Sequence, residues 1–267
     1  MKLGIFGRPI SHSRSPRLFA RLGRLLNRSI DYEAVLVEDL TAAVKKAQAA
    51  GWRGANVTVP FKEEAAASAC RLTPAAKALG AANVLRFDRH TIGHNTDGEG
   101  LRDALRAAEM RIKGKGALVF GAGGAARAAG WALAREGAKS VRFCARTPAR
   151  AKRAARALAP HFPRTAFSAG APVAAPVWVN ATPLGMIGFP DRSPAPKSLR
   201  SPEFAIDLVY GRRTAFQRDA AARGARVIDG AAMLVHQALR AWEYWDKPLA
   251  PRRRAALAVP LLKEVLK

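Results

Sequence analysis

Lys62 is the first residue whose type and setting suggest chemistry. It closes the run Asn56-Val57-Thr58-Val59-Pro60-Phe61-Lys62. Strand alternation there puts Asn56 and Thr58 on one face, and Lys62 opens the helix that follows. Lysine suits a first helical turn poorly, because the helix dipole there favours anions. Held in a cleft, its ammonium can transfer a proton; on an open surface it is an ordinary solvated lysine. Asp97, in Gly93-His94-Asn95-Thr96-Asp97-Gly98, can cap a helix starting at Gly98. Asn83 is a polar side chain at the start of an apolar strand and needs a hydrogen-bond partner. Ser13 and Ser15 place two hydroxyls and unpaired backbone N–H groups ahead of a helix, a setting that suits a carboxylate. Simple capping is the plainer role for Ser15. His12 and His94 have no metal-ligand spacing and read as ordinary polar residues, so no metal site is expected.

A second kind of chemistry is written into Ala117–Arg127, A-L-V-F-G-A-G-G-A-A-R. An apolar run meets a glycine cluster and then an alanine-rich amphipathic segment, the strand, turn and helix of a dinucleotide-binding unit. Gly121 permits the tight turn, and Gly123 and Gly124 let backbone approach a pyrophosphate at the helix N-terminus. The pattern is G-x-G-G-A rather than the full G-x-G-x-x-G, and a βα turn without ligand can look the same. Binders of NAD place an acid at the end of the second strand. The corresponding segment here, Cys144–Arg150, has none and carries Arg146 and Arg150, which can clamp a 2′-phosphate through charge-assisted hydrogen bonds. NADPH is therefore the expected cofactor.

The elements that must hold these residues alternate. Strands are expected at Leu3–Phe6, Tyr32–Val37, Gly54–Val59 and Ala82–Phe87. Helices are expected from Ser15-Pro16, over Leu40–Ala50, Phe61–Cys70 and Pro74–Leu79. Helix Gly98–Glu109 leads to strand Ala117–Phe120 and its helix, then strand Ser140–Cys144 and helix Pro148–Ala159. Residues 160–176 read as loop, Val177–Asn180 as strand and 181–203 as a long proline-rich loop. Strands Ala205–Val209 and Val227–Ile228 flank helix Thr214–Arg223, and helices Ala231–Trp245 and Arg253–Leu266 follow. Alternation at this spacing predicts two mainly parallel α/β units.

The chain has 267 residues, enough for two domains, and a formal net charge of +25. No apolar stretch approaches the ~20 residues of a membrane span. The N-terminal apolar run is too short for a secretory signal. Cys70 and Cys144 lie far apart, which suggests a reducing compartment, and a cytoplasmic location is expected. The basic residues are spread along the chain without an aromatic platform, so composition bias explains them better than nucleic-acid binding. Their field would draw in anionic small molecules.

Eight stretches in order resemble the shikimate dehydrogenase family. They are Pro9–Pro16, Asn56–Lys62, Gly80–Asn83, Gly93–Gly100, Gly121–Ala128, Asn180–Met186, Asp207–Tyr210 and Asp229–Gln237. The resemblance implies reversible NADPH-dependent reduction of 3-dehydroshikimate to shikimate, in aromatic amino-acid biosynthesis. By matching position, Lys62 and Asp97 are the catalytic pair. Ser13, Ser15 and Tyr210 take the substrate carboxylate, and Thr58, Asn83, Asp97 and Gln237 hold ring hydroxyls or the reacting oxygen. Gly121, Ala122, Gly123, Gly124, Ala125, Arg146, Thr147, Arg150, Leu208 and Gly230 contact the cofactor. The implied substrate domain is 1–97 with 232–267, and the implied Rossmann-type NADP-binding domain is 98–231, with the active-site cleft between them. A monomer or homodimer is expected, with no nucleic-acid or membrane partner. Ala145 stands where the family usually has Asn, Val84 where it has Thr, and Gly211 follows Tyr210. Quinate/shikimate dehydrogenases share most of these motifs but often use NAD, and Arg146 argues against that reading.

Overall fold

The computed structural model describes residues 1–11 and 13–266. His12 therefore lies outside the described residues. The chain divides into two compact units, Met1–Gly100 with Val235–Lys267 and Leu101–Leu234. Both breaks fall inside helices.

The first unit is built on a six-stranded sheet. Its strands are β1 (Lys2–Gly7), β2 (Asp31–Leu36), β3 (Gly54–Val57), β4 (Arg71–Leu72), β5 (Val84–Phe87) and β6 (Thr91–His94), in the order β2-β1-β3-β5-β6-β4. The apolar run Leu3–Phe6 is buried on both faces, as a central parallel strand requires. Strand β1 pairs in parallel with β2 and β3, whereas β5 runs antiparallel to both β3 and β6. The short strands β4 and β6 were not expected, because Thr91-Ile92-Gly93-His94 has no apolar alternation and is recruited by pairing. Strand β3 also ends at Val57 rather than Val59. The Thr58 N–H still reaches Phe6 O at 2.9 Å, but Pro60 has no N–H to continue a ladder.

Helices α1 (Ser15–Leu26), α2 (Leu40–Ala49), α3 (Lys62–Ser68) and α4 (Pro74–Leu79) connect these strands. Helix α1 buries Leu18, Phe19 and Leu22 on one face, as its periodicity predicts. Its N-cap is Arg14, with no side-chain cap bond, so Ser15 is the first helical residue and not the cap. Likewise α5 (Asp97–Ala107) begins at Asp97, which is inside the helix rather than capping it.

The second unit carries an all-parallel sheet of β7 (Gly116–Phe120), β8 (Ser140–Cys144), β9 (Ala166–Ala169), β10 (Val177–Asn180), β11 (Phe204–Asp207) and β12 (Arg226–Ile228). The order β12-β11-β10-β7-β8-β9 is the doubly wound arrangement, with the reversal between β7 and β10. Helices α6 (Gly124–Arg135), α7 (Pro148–Leu158) and α8 (Ala215–Ala222) connect the strands, and a 3-10 turn covers Ala159–His161. Strand β9 corrects the loop expected over 160–176: its small residues form an edge only because β8 offers a parallel partner. The chain ends in α9 (Gly230–Trp245) and α10 (Pro251–Leu266). In α9, Trp242 and Trp245 are core residues, and Trp245 Nε1 donates to Leu85 O at 2.9 Å. Burying each indole stabilises the unit by roughly 3 kcal/mol.

Candidate active site

In the first unit the polar residues converge on Asn83, at the entry to β5. Its amide nitrogen donates to Asp97 Oδ1 at 2.8 Å, Thr96 Oγ1 at 3.1 Å and Gln237 Oε1 at 3.2 Å. Its oxygen accepts from the Thr96 N–H at 2.8 Å. The other oxygen of Asp97 lies 2.6 Å from Lys62 Nζ. Asp97 thus bridges an ammonium and a carboxamide, which leaves its side chain a single orientation.

Local sequence explains the placement. Asn95 Oδ1 accepts from the Asp97 N–H at 3.0 Å, and Asn95 Nδ2 donates to Ala81 O at 2.8 Å, so the start of α5 is pinned to the segment before β5. The Ala82 N–H reaches Lys62 O at 2.8 Å, pinning the first turn of α3 to the same segment. Asp97 is buried, while the Lys62 side chain keeps 21% of its surface exposed, enough to meet a ligand. Thr58 packs over Gly7, where a Cβ would strike its methyl group. Ser13 Oγ accepts from the Ser15 N–H at 3.3 Å, and Ser15 is buried. So Lys62, Asp97, Asn83 and Gln237 are linked in that order by side-chain bonds, and Ser13 and Ser15 form a second, smaller contact. Tyr210 belongs to the second unit, on the segment after β11.

Sequence reasoning missed Thr96 as a member of this cluster and did not anticipate the side-chain bonds of Tyr32 and His94. Thr96 joins the Asn83 cluster, and its only signal was the unbroken polar run before α5. Tyr32, whose ring stacks on Phe19 with centroids 4.3 Å apart, donates to Asn56 Oδ1 at 2.7 Å; burial pushes its phenol well above the usual range. His94 is no ordinary polar residue. It contacts Thr73 Oγ1 at 2.7 Å and stacks on Tyr244, and burial, with Arg240 nearby, lowers its pKa to about 4.

In the second unit the glycine cluster follows β7 at the sheet's reversal point. Gly121 has φ +115, and a Cβ on it would lie 2.7 Å from Ala181 O. This position needs glycine on both counts. Gly123 faces open space and is the N-cap of α6 with no side-chain cap bond, so the helix presents backbone N–H groups. Ala122 and Ala125 add no bulk beside it. Beyond β8, Arg146, Thr147 and Arg150 are exposed, and no acid stands among them. Leu208 N donates to Asn180 O at 3.0 Å, and Gly230 packs so tightly on Leu208 O that a Cβ would collide with it. The turn, the bare helix end and the two arginines fit a phosphorylated dinucleotide. Among the described residues no group of three or more His, Cys, Asp or Glu could hold a metal ion, and no helix is long and apolar enough to cross a membrane.

A family model described as the shikimate dehydrogenase substrate binding domain matches residues 5–85. The chain is 40% identical over 272 residues to a shikimate dehydrogenase (NADP(+)) from Anaeromyxobacter dehalogenans strain 2CP-1, covering 96% of this chain and 94% of that one. A shikimate 5-dehydrogenase from Thermus thermophilus, solved in complex with NADP(H) and shikimate, matches with a TM-score of 0.84 at 36% identity, covering 98% of this chain and 99% of that one. A 5-ketofructose reductase from Gluconobacter sp. strain CHM43, in its ligand-free form, matches with a TM-score of 0.85 at 27% identity, covering 99% and 98%.

Proposed function

We propose that this chain, which belongs to the shikimate dehydrogenase family, catalyses the reversible NADPH-dependent reduction of 3-dehydroshikimate to shikimate. The observation that carries the reading is the Lys62 ammonium held 2.6 Å from Asp97, with Asn83 on the other carboxylate oxygen. When bound, NADPH supplies the hydride. Reduction of a ketone builds negative charge on its oxygen, and Lys62 offers an N–H to that oxygen and delivers the proton. In the reverse direction the same nitrogen receives the proton of the hydroxyl. Asp97 keeps Lys62 aimed and accepts a neighbouring hydroxyl of the substrate.

Ser13 and Ser15, with Tyr210, take the substrate carboxylate, while Thr58, Asn83 and Gln237 hold the ring oxygens. The first unit is thus the substrate domain and the second the NADP-binding domain. Gly121–Ala125 receive the pyrophosphate on backbone N–H groups, and Leu208 and Gly230 border the cofactor. Arg146, Thr147 and Arg150 hold the 2′-phosphate, which favours NADPH over NADH. The reading has the enzyme working in the cytoplasm on small molecules, as a monomer or homodimer.

The test is a spectrophotometric comparison of shikimate and quinate, each with NADP+ and with NAD+, and of 5-ketofructose with NADPH. Shikimate with NADP+ should dominate kcat/KM. A faster reaction with quinate and NAD+, or with 5-ketofructose, would reassign the substrate.

A further inference from the structure

The second unit contains a carboxylate that the proposed chemistry leaves unused. Asp207 ends β11 with no exposed surface. Its oxygens accept from Asn180 Nδ2 at 2.9 Å, the Val209 N–H at 3.1 Å, Thr214 Oγ1 at 2.5 Å and Gln217 Nε2 at 3.1 Å. All four partners are neutral donors. A hydroxyl both donates and accepts, so Thr214 fits either protonation state, and the other three partners need acceptor oxygens on Asp207. Burial pushes this carboxyl's pKa up, and the four donated hydrogen bonds pull against that. A fully buried carboxyl is costly to keep, so what it organises matters.

The donors come from three separate segments. Asn180 ends β10, and its oxygen accepts from the Thr182 N–H at 3.1 Å and Thr182 Oγ1 at 2.6 Å. Its amide also reaches Leu184 O at 3.2 Å, so the 180–184 turn is folded around this one side chain. Val209 belongs to the segment that carries Leu208 and Tyr210. Thr214 caps α8, its hydroxyl accepting from the Gln217 N–H at 3.2 Å. The 180–184 turn also contains Ala181, whose carbonyl crowds the position a Cβ would take on Gly121. Beside the backbone bond from Leu208 N to Asn180 O, this one side chain ties together the loops around the glycine turn.

We infer that Asp207 is a positioning residue for the cofactor edge of the second unit, holding the 180–184 turn and the 208–210 segment in register before NADP binds. The inference rests on reading Gly121–Ala125, Leu208 and Gly230 as cofactor contacts. It assigns Asp207 no contact with the cofactor itself.

The test is Asp207→Asn in the full chain, which keeps the shape but replaces an acceptor oxygen with an amide. NADP+ and shikimate are titrated separately by calorimetry, and amide hydrogen exchange is followed in parallel. NADP+ should bind roughly tenfold more weakly, the scale of one or two lost hydrogen bonds, with shikimate losing no more than about threefold, since Tyr210 is its one proposed contact on the loosened segment. The amides of Thr182, Leu184 and Val209 should exchange faster while those of β7 keep their protection. Unaltered NADP+ affinity would overturn the inference, and so would equal losses for both ligands with uniformly faster exchange. Should Asp207→Asn fail to fold, Thr214→Val keeps the carboxyl and removes one donor. It should reproduce the pattern at about threefold, and an unaltered affinity there would likewise overturn it. Wild-type enzyme that binds no NADP+ would instead sink the cofactor reading beneath it.

Discussion

At Lys62 two demands meet: the ammonium must be reachable by a ligand and must not wander. Its salt bridge with Asp97 supplies the second, and its partial exposure the first. Removing the amine should therefore cost chemistry rather than binding. Lys62→Ala is expected to lower kcat by about 10²–10⁴-fold, the range of a lost general acid, with shikimate KM within a few fold. Near wild-type kcat would take Lys62 out of the reaction. Arg146 is proposed to make the opposite kind of contribution, at a part of the cofactor that does not react. Arg146→Ala should raise KM for NADPH by roughly tenfold or more, the worth of a charge-assisted hydrogen bond, and leave NADH nearly unchanged. Equal losses with both cofactors would remove its role at the 2′-phosphate.

At the scale of elements, β6 matters because it ends at His94 and delivers Asn95, Thr96 and Asp97 to the site. His94 is held by Thr73 and by the Tyr244 ring. Burial is the main cause that brings its pKa down to about 4, with Arg240 adding to it. The unfolded chain, with a histidine near 6.5, binds a proton that the native state refuses between pH 6.5 and 4. Its contribution is therefore fully present above pH 6.5 and is lost as pH falls toward 4, on the order of 3 kcal/mol in all. Urea midpoints should fall on acidification across this window, and less steeply in His94→Asn. An identical slope in the variant would locate the acid sensitivity elsewhere.

For the molecule as a whole, the charge of +25 dominates long-range behaviour. Both the carboxylate substrate and the phosphorylated cofactor are anions, so the field should speed their encounter. Screening shortens its reach to about 10 Å at 0.1 M salt. Raising NaCl from about 0.02 to 0.2 M should lower kcat/KM for NADPH several-fold while kcat holds. A kcat/KM indifferent to salt would mean that the charge is merely compositional.

Much of this protein was written locally. The glycine turn, the acid-free segment after β8, the serine pair and the Asn56–Lys62 run could be read from the chain because turns, caps and helix starts depend on a few neighbouring residues. The alternation of strands and helices came from the same short-range periodicity. Only the tertiary structure decided which polar side chains meet. Asn83 bonds Asp97 from fourteen residues away and Gln237 from 154 away, and no local pattern encodes such a pairing. The antiparallel β5, the interior strand β6 and the edge strands β4 and β9 were settled by the neighbours available to pair with them. Asp97 could have been a cap on sequence grounds, and it became a bridge once folding placed Lys62 on one oxygen and Asn83 on the other. Asp207 stood in a recognised run, but four donors from three segments gave it a place of its own. Local conformation follows from residue type, whereas satisfying a buried polar group depends on whatever the rest of the chain brings to it.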